Sequence, residues 1–164
     1  MIDFATIEYT LKDLDSRYNA TNEGVVQVYC SKLAVLEFGG WVEEAIDGIV
    51  RQYISNTKIS NKYLKDFIDK KISETYGFKF DLISNLFCLT LGVKLWEDLI
   101  IELEDKQYLD QFKCILNDFT KKRNDAAHKS ISQMTTYEAP STTLNNFRIV
   151  KPIMQHIDNY IGTL

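Results

Sequence analysis

The stretch KKRNDAAHKS, Lys121 to Ser130, holds the residues whose types and spacing could do chemistry. The chain has only four arginines and two histidines, and one of each falls here, Arg123 and His128, with Asn124 between them. A histidine has an unperturbed pKa of about 6.5, so it can take or give a proton near neutral pH. An arginine offers a phosphate a planar fork of donors and offsets the charge that develops on it. An asparagine amide can donate to a phosphate oxygen or orient an imidazole. The set suits RNA cleavage without a metal. The ribose 2′-hydroxyl would attack the adjacent phosphorus, leaving a 2′,3′-cyclic phosphate and a 5′-hydroxyl. DNA lacks that hydroxyl and could not react this way. The competing reading is a salt-bridged arginine and a helix-end histidine that complements the helix dipole.

These residues need a helix to position them. Taking Phe112 as zero and turning about 100° per residue, Ile115, Leu116, Phe119, Ala126 and Ala127 fall within about 60° of it. Arg123 falls at about 20°, in the middle of that apolar stripe. An unpaired charge there would be costly, so Arg123 must have a partner or lie at the lip of an interface. Asn124 and His128 share another face, at about 120° and 160°. One copy therefore does not bring Arg123 and His128 to one reacting atom. Two copies related by a two-fold axis could, and Ala126 and Ala127 are small enough to let such helices close up.

The rest of the chain reads as helical scaffold. Phe4, Ile7, Leu11, Leu14 and Tyr18 recur at three- and four-residue steps, which predicts a helix over 2–19. A long helix follows over about 25–55, and Gly39-Gly40 inside it costs about 1 kcal/mol per glycine, which points to close approach of another backbone. Asn61 can cap a third helix that Gly77 ends, and Asp81 a fourth that ends near Gly92. Val93, Trp96, Ile100 and Leu103 mark a fifth. The sixth spans 107–129. The polar segment SISQMTTYEAPST follows, without periodicity. A last helix covers roughly 144–162, with Pro152 either kinking it or marking its first turn. There is no alternating strand pattern and no repeat, so the expected fold is all-α, an antiparallel bundle of about six to seven helices in a single domain, 1–164.

Composition narrows the classes. At 164 residues and a net charge of −4, the chain is not a general nucleic-acid coat, which would be basic overall. Any contact with RNA must be local, and Lys121, Lys122, Arg123 and Lys129 stand against one acid, Asp125, around the motif. They are candidate phosphate-steering residues. Cys30, Cys88 and Cys114 are odd in number and lack a CxxC pair, so they read as small buried hydrophobes in a reducing cytoplasm. The start MIDFATIEYTLKD has acids and no basic region, so it does not read as a signal peptide. No apolar run approaches the roughly 20 residues of a membrane span. Neither a metal nor another cofactor is implied: two histidines, His128 and His156, and scattered cysteines do not make a ligand set, and no GxGxxG or Walker pattern exists. His156 reads as a surface or partly packed residue. Glu43-Glu44, Glu97-Asp98 and Glu102-Glu104-Asp105 read as solvated faces. Glu37 could approach the motif from the long helix, but a solvated place is the plainer reading. Trp41 and Trp96 sit at core spacing.

Arg123-Asn124-Asp125-Ala126-Ala127-His128 resembles the R-x4–6-H motif of the HEPN superfamily, in the form with a polar residue after the arginine. The helical pattern, the length and the late motif before one terminal helix agree with HEPN domains of prokaryotic toxin and phage-defence loci. The resemblance implies a helical homodimer and a metal-independent endoribonuclease acting on an RNA substrate. It implies that Arg123 and His128 are the catalytic pair, facing their counterparts across two protomers, with Asn124 in support. It also implies a possible cognate antitoxin, for example a small nucleotidyltransferase. Some HEPN domains are silent adaptors that bind a partner protein or nucleic acid, and that is the alternative expectation.

Overall fold

The computed structural model describes residues 2–130 and 137–163, and seven helices account for most of them. They are α1 (Phe4–Ala20), α2 (Gly24–Asn56), α3 (Lys62–Glu74), α4 (Phe80–Thr90), α5 (Val93–Asp105), α6 (Leu109–His128) and α7 (Pro140–Gly162). Among the described residues there is no strand. The all-α bundle expected from periodicity is the fold. No helix is long and apolar enough to cross a membrane among the described residues.

The core follows from the helical stripes. Ile7, Leu11 and Leu14 of α1 are buried, as the three- and four-residue steps require. The side chain of Asp3 starts that helix by accepting from the N–H groups of Ala5 and Thr6 at 3.0 Å each. α2 is the central element. It packs against α1, α6 and α7, and buries Val35, Phe38, Val42, Ile46 and Ile49. Phe38 meets Phe119 of α6 edge to face, with ring centroids 4.7 Å apart. Trp41 and Trp96 are both in the core, as expected, and the Trp41 indole donates to the Asp3 carbonyl at 2.9 Å. Lys151 of α7 reaches Glu8 of α1. With Lys12, whose hydrogen bond is the larger influence, it holds the Glu8 carboxyl down to about 2.

The boundaries depart from the expected ones where another element supplies the cap. Asn61 caps α3 as read, accepting from the Leu64 N–H at 3.3 Å. α3 ends at Glu74 and not at Gly77. The segment 75–79 then turns through Gly77, at φ 92, and inserts the buried Phe78. Asp81 lies inside the first turn of α4 and does not cap it. The Phe80 N–H is instead received by the Asn117 side chain of α6, at 3.2 Å. The sixth helix starts at Leu109 because Gln107 is left-handed, at φ 59, and its N–H and that of Tyr108 close back on Glu104 and Leu103 to end α5. α7 starts at Pro140, four residues earlier than expected. There the missing N–H is harmless, and Pro152 lies inside the helix. Of the polar segment after the motif, residues 131–136 lie outside the described residues.

The Asn117 cap gives a stability test. Asn117→Ala leaves the Phe80 N–H without its acceptor and is expected to cost about 1 kcal/mol, within the usual 0.5–2 for a lost cap. Urea unfolding checks it, and an unchanged midpoint would refute the inter-helix cap.

Candidate functional site

α6 and α2 run side by side, antiparallel, and the motif sits at the end of that contact. Lys32 of α2 donates to the carbonyl of Lys129, just past the end of α6, at 2.9 Å. Further along α2, a Cβ built on Gly39 would lie 3.0 Å from the Arg123 Cγ and 3.0 Å from the Phe78 ring. So the bare backbone of Gly39 is the notch through which the Arg123 stem passes. The sequence predicted a backbone approach at Gly39-Gly40. The visitors are instead two side chains, and only at Gly39, since nothing lies within 4 Å of a Cβ at Gly40.

One turn further along α2, Glu43 receives the guanidinium, with its Oε2 3.3 Å from an Arg123 terminal nitrogen. The two side chains are 33 % and 30 % exposed, so the pair lies at a lip and is not sealed in the core. Arg123 thus has the partner its place in the apolar stripe requires, and it lies at the edge of a cavity of its own chain. Glu43 is therefore not the solvated residue that the Glu43-Glu44 run suggested, although Glu44 is exposed. The signal that could have found it is its i,i+4 spacing from Gly39, which puts notch and carboxylate on one line of α2. Glu37 is exposed and lines the groove between α1 and α2.

Arg123, Asn124 and Glu43 border a cavity of about 460 Å³ between α2, α3, α4 and α6. Ile46, Ile72, Ile83 and Leu86 form apolar wall. Asp47, one turn beyond Glu43, also lines it. Asp47 is half-buried and makes no hydrogen bond or ion pair among the described residues. Burial pushes its carboxyl above the ordinary value of 3.8, Arg51 opposes this, and Glu43 and Glu44 add to it. Tyr76, 84 % exposed, stands at the mouth.

His128 is the last residue of α6, exposed, and without a hydrogen-bond partner among the described residues. Asn124 is exposed too. The helix thus sends Arg123 toward its own chain's cavity and leaves His128 facing outward, as the wheel predicted. Ala126 is buried within the chain, and Ala127 is the small residue left on the outside. The three lysines differ. Lys122 reaches Asp118 at 2.6 Å and Glu138 at 2.8 Å. Burial works against its charge, but those two hydrogen bonds prevail and raise its pKa. Lys129 pairs with Asp125 at 2.9 Å. Lys121 makes no ion pair among the described residues. Lys32, next to the end of α6, is a cation the sequence reading missed.

His156 is held away from the motif, with its Nε2 2.9 Å from a Glu102 carboxylate oxygen. Glu102 has that partner, yet its side chain stays 43 % exposed, and Glu97 and Asp98 pair with Lys94. The cysteines are free, but only Cys30 is buried, and Cys114 is exposed, against the expectation of three buried thiols. Among the described residues no group of three metal-ligating side chains comes together.

The chain is thus a helical bundle that carries Arg123 beside a cleft and His128 exposed at the end of one late helix. The RiboL-PSP-HEPN family profile matches residues 2–163, and the chain belongs to that family. No curated protein and no solved structure matches it.

The two glycines predict opposite outcomes. Gly40→Ala should stabilise by up to about 1 kcal/mol, the helical preference for alanine. Gly39→Ala should be net destabilising, because overpacking of about 1–3 kcal/mol exceeds that gain. Denaturant midpoints of the pair test the notch. Asp47 gives a pH test. A carboxyl whose folded pKa is raised weakens the fold as pH rises through the raised value. Asp47→Asn should therefore be more stable than wild type at pH 7, and the difference should vanish below the ordinary 3.8, where Asp47 is neutral in both states. Melting temperatures across that range decide it.

Proposed function

We propose that this protein is a metal-independent endoribonuclease that acts as a homodimer, with one protomer's outward face completing the other's cleft. The observation that carries the reading is the split of the motif. Arg123 is turned into a cleft of its own chain, and His128 points out at the end of the same helix. A second copy, related by a two-fold axis, would present its His128 to a phosphate held at Arg123.

In this reading Arg123 binds the scissile phosphate by its fork and stabilises the five-coordinate transition state. One histidine removes the 2′-hydroxyl proton as the 2′-oxygen bonds to phosphorus. The P–O5′ bond breaks, and the 5′-oxygen takes the proton back from that same, now protonated, imidazole. Asn124, exposed beside them, orients the imidazole or donates to a phosphate oxygen. Lys121 and Lys32 steer the backbone, and Lys129 joins them when phosphate displaces Asp125. Lys122, with two carboxylates already, contributes least. The family membership and the motif suggest a cytoplasmic toxin or defence effector, restrained by a partner such as an antitoxin that covers the cleft.

One observation favours a second reading, a silent adaptor: Glu43 already neutralises the Arg123 guanidinium. An RNA phosphate must then compete with a carboxylate.

The test is cleavage of RNA by purified protein in EDTA, with the new ends analysed chemically. The expected products are 2′,3′-cyclic phosphates and 5′-hydroxyls, with DNA untouched. His128→Ala should lower the rate by about 10²–10⁴. Mixing His128→Ala with Arg123→Ala should restore part of it, because a heterodimer regains one intact composite site. No cleavage by wild type leaves the adaptor, and a failure of the mixture to recover activity rules out the composite cleft.

A further inference from the structure

The cleft beside Arg123 has an acidic side that a phosphate would avoid. Glu43 and Asp47 both line it, one turn apart on α2, and of the two only Glu43 is in an ion pair. A nucleic-acid backbone is repelled from that side and held by Arg123. What can enter is a neutral, flat, donor-rich group. The wall offers Ile72, Ile83 and Leu86 to the faces of such a group. At the mouth stands Tyr76, and it is not on a loose tether. The Thr75 N–H and hydroxyl close back on the Ile72 and Lys71 carbonyls, and Phe78, two residues on, is buried. An exposed aromatic ring at the rim of a cleft, on backbone held in place on both sides, is a stacking platform for an unpaired base.

We propose that this cleft is a nucleobase pocket, that it takes the base next to the phosphate held at Arg123, and that Asp47 and Tyr76 make it select guanine. The choice follows from hydrogen-bond chemistry. The free Asp47 carboxylate has two acceptor oxygens and no donor. Guanine presents two adjacent donors on its Watson–Crick edge, N1–H and the N2 amino group. Adenine and cytosine place an acceptor nitrogen beside their amino group, and uracil flanks its one N–H with two carbonyls. Each of those sets a lone pair against the carboxylate. The raised carboxyl of Asp47 agrees with a group kept half-buried for a ligand, since burial outweighs the attraction of Arg51 and no hydrogen bond or ion pair among the described residues holds its charge.

This rests on the ribonuclease reading, and the experiment separates the two. Wild type, Asp47→Asn and Tyr76→Ala are each given RNA of mixed sequence, and the ends are mapped by sequencing. Matched oligonucleotides carrying guanosine, inosine or adenosine at the preferred position are cut in parallel. Binding of guanosine 3′-phosphate and adenosine 3′-phosphate is measured by calorimetry on the same proteins. Wild type should favour guanine at one fixed side of the cut by about 10-fold or more, as one bidentate contact implies. Inosine, which lacks the N2 amino group, should lose most of that preference. Asp47→Asn should lose it too, with a melting temperature no lower than wild type. Tyr76→Ala should weaken binding of both nucleotides. Cleavage without base preference, or a preference that survives in Asp47→Asn, overturns the pocket and leaves the nuclease. Selective binding of guanosine 3′-phosphate without cleavage overturns the nuclease and leaves the pocket. Neither binding nor cleavage overturns both.

Discussion

The passage of the Arg123 side chain across the bare backbone of Gly39 is the contact from which the site is built. An arginine at the centre of an apolar stripe must carry its charge out of the core before it meets a low-dielectric interior. Gly39 lets the stem cross α2 in van der Waals contact, and Glu43 meets the guanidinium one turn beyond. The same close packing seats Phe38 against Phe119. The helix pair is therefore fixed by a core contact on one side and a charge contact at the lip. Arg123 is held by its stem, while its fork stays at the edge of a cavity where a ligand can reach it.

The charge pattern around this pair is local and largely self-cancelling. Lys122 is committed to Asp118 and Glu138, and Lys129 to Asp125. On a chain of net charge −4, that leaves no broad positive field. Exposed pairs of this kind are worth little to stability, with a median of about 0–1 kcal/mol, and a competing phosphate can open them. The Arg123–Glu43 pair is less exposed than the Lys129–Asp125 pair, although its 3.3 Å contact is the longer one. Its loss on one side would strand a half-buried charge, which is why Glu43 acts as more than a spectator of the motif.

Much of the fold was legible from spacing alone. The stripe of α1, the Asn61 cap and the core tryptophans all follow from local rules. So does the placement of Arg123 against a neighbour while His128 faces out. Two of the misreadings came from partners distant in sequence, and a third from judging a residue by type alone. Asp81 looked like a cap because it has the right side chain just inside a helix, yet Asn117, 37 residues after Phe80, holds that N-terminus. Glu43 looked solvated because it belongs to an acidic run, yet its partner lies 80 residues away. Cys114 looked like a core thiol by type, and its position on α6 left it outside.

By itself, the sequence determined which segments are helices, which face of each is apolar, and that one helix divides an arginine from a histidine. Those facts depend on a rotation of about 100° per residue, which any reader of the chain can apply. Only the tertiary structure decided that Gly39 would be the notch, that Glu43 would meet the guanidinium, and that Asp47 and Tyr76 would share a cavity with them. These choices depend on which helices pack together and at what register. That register is set by the fit of side chains distant in sequence, and no local period records it.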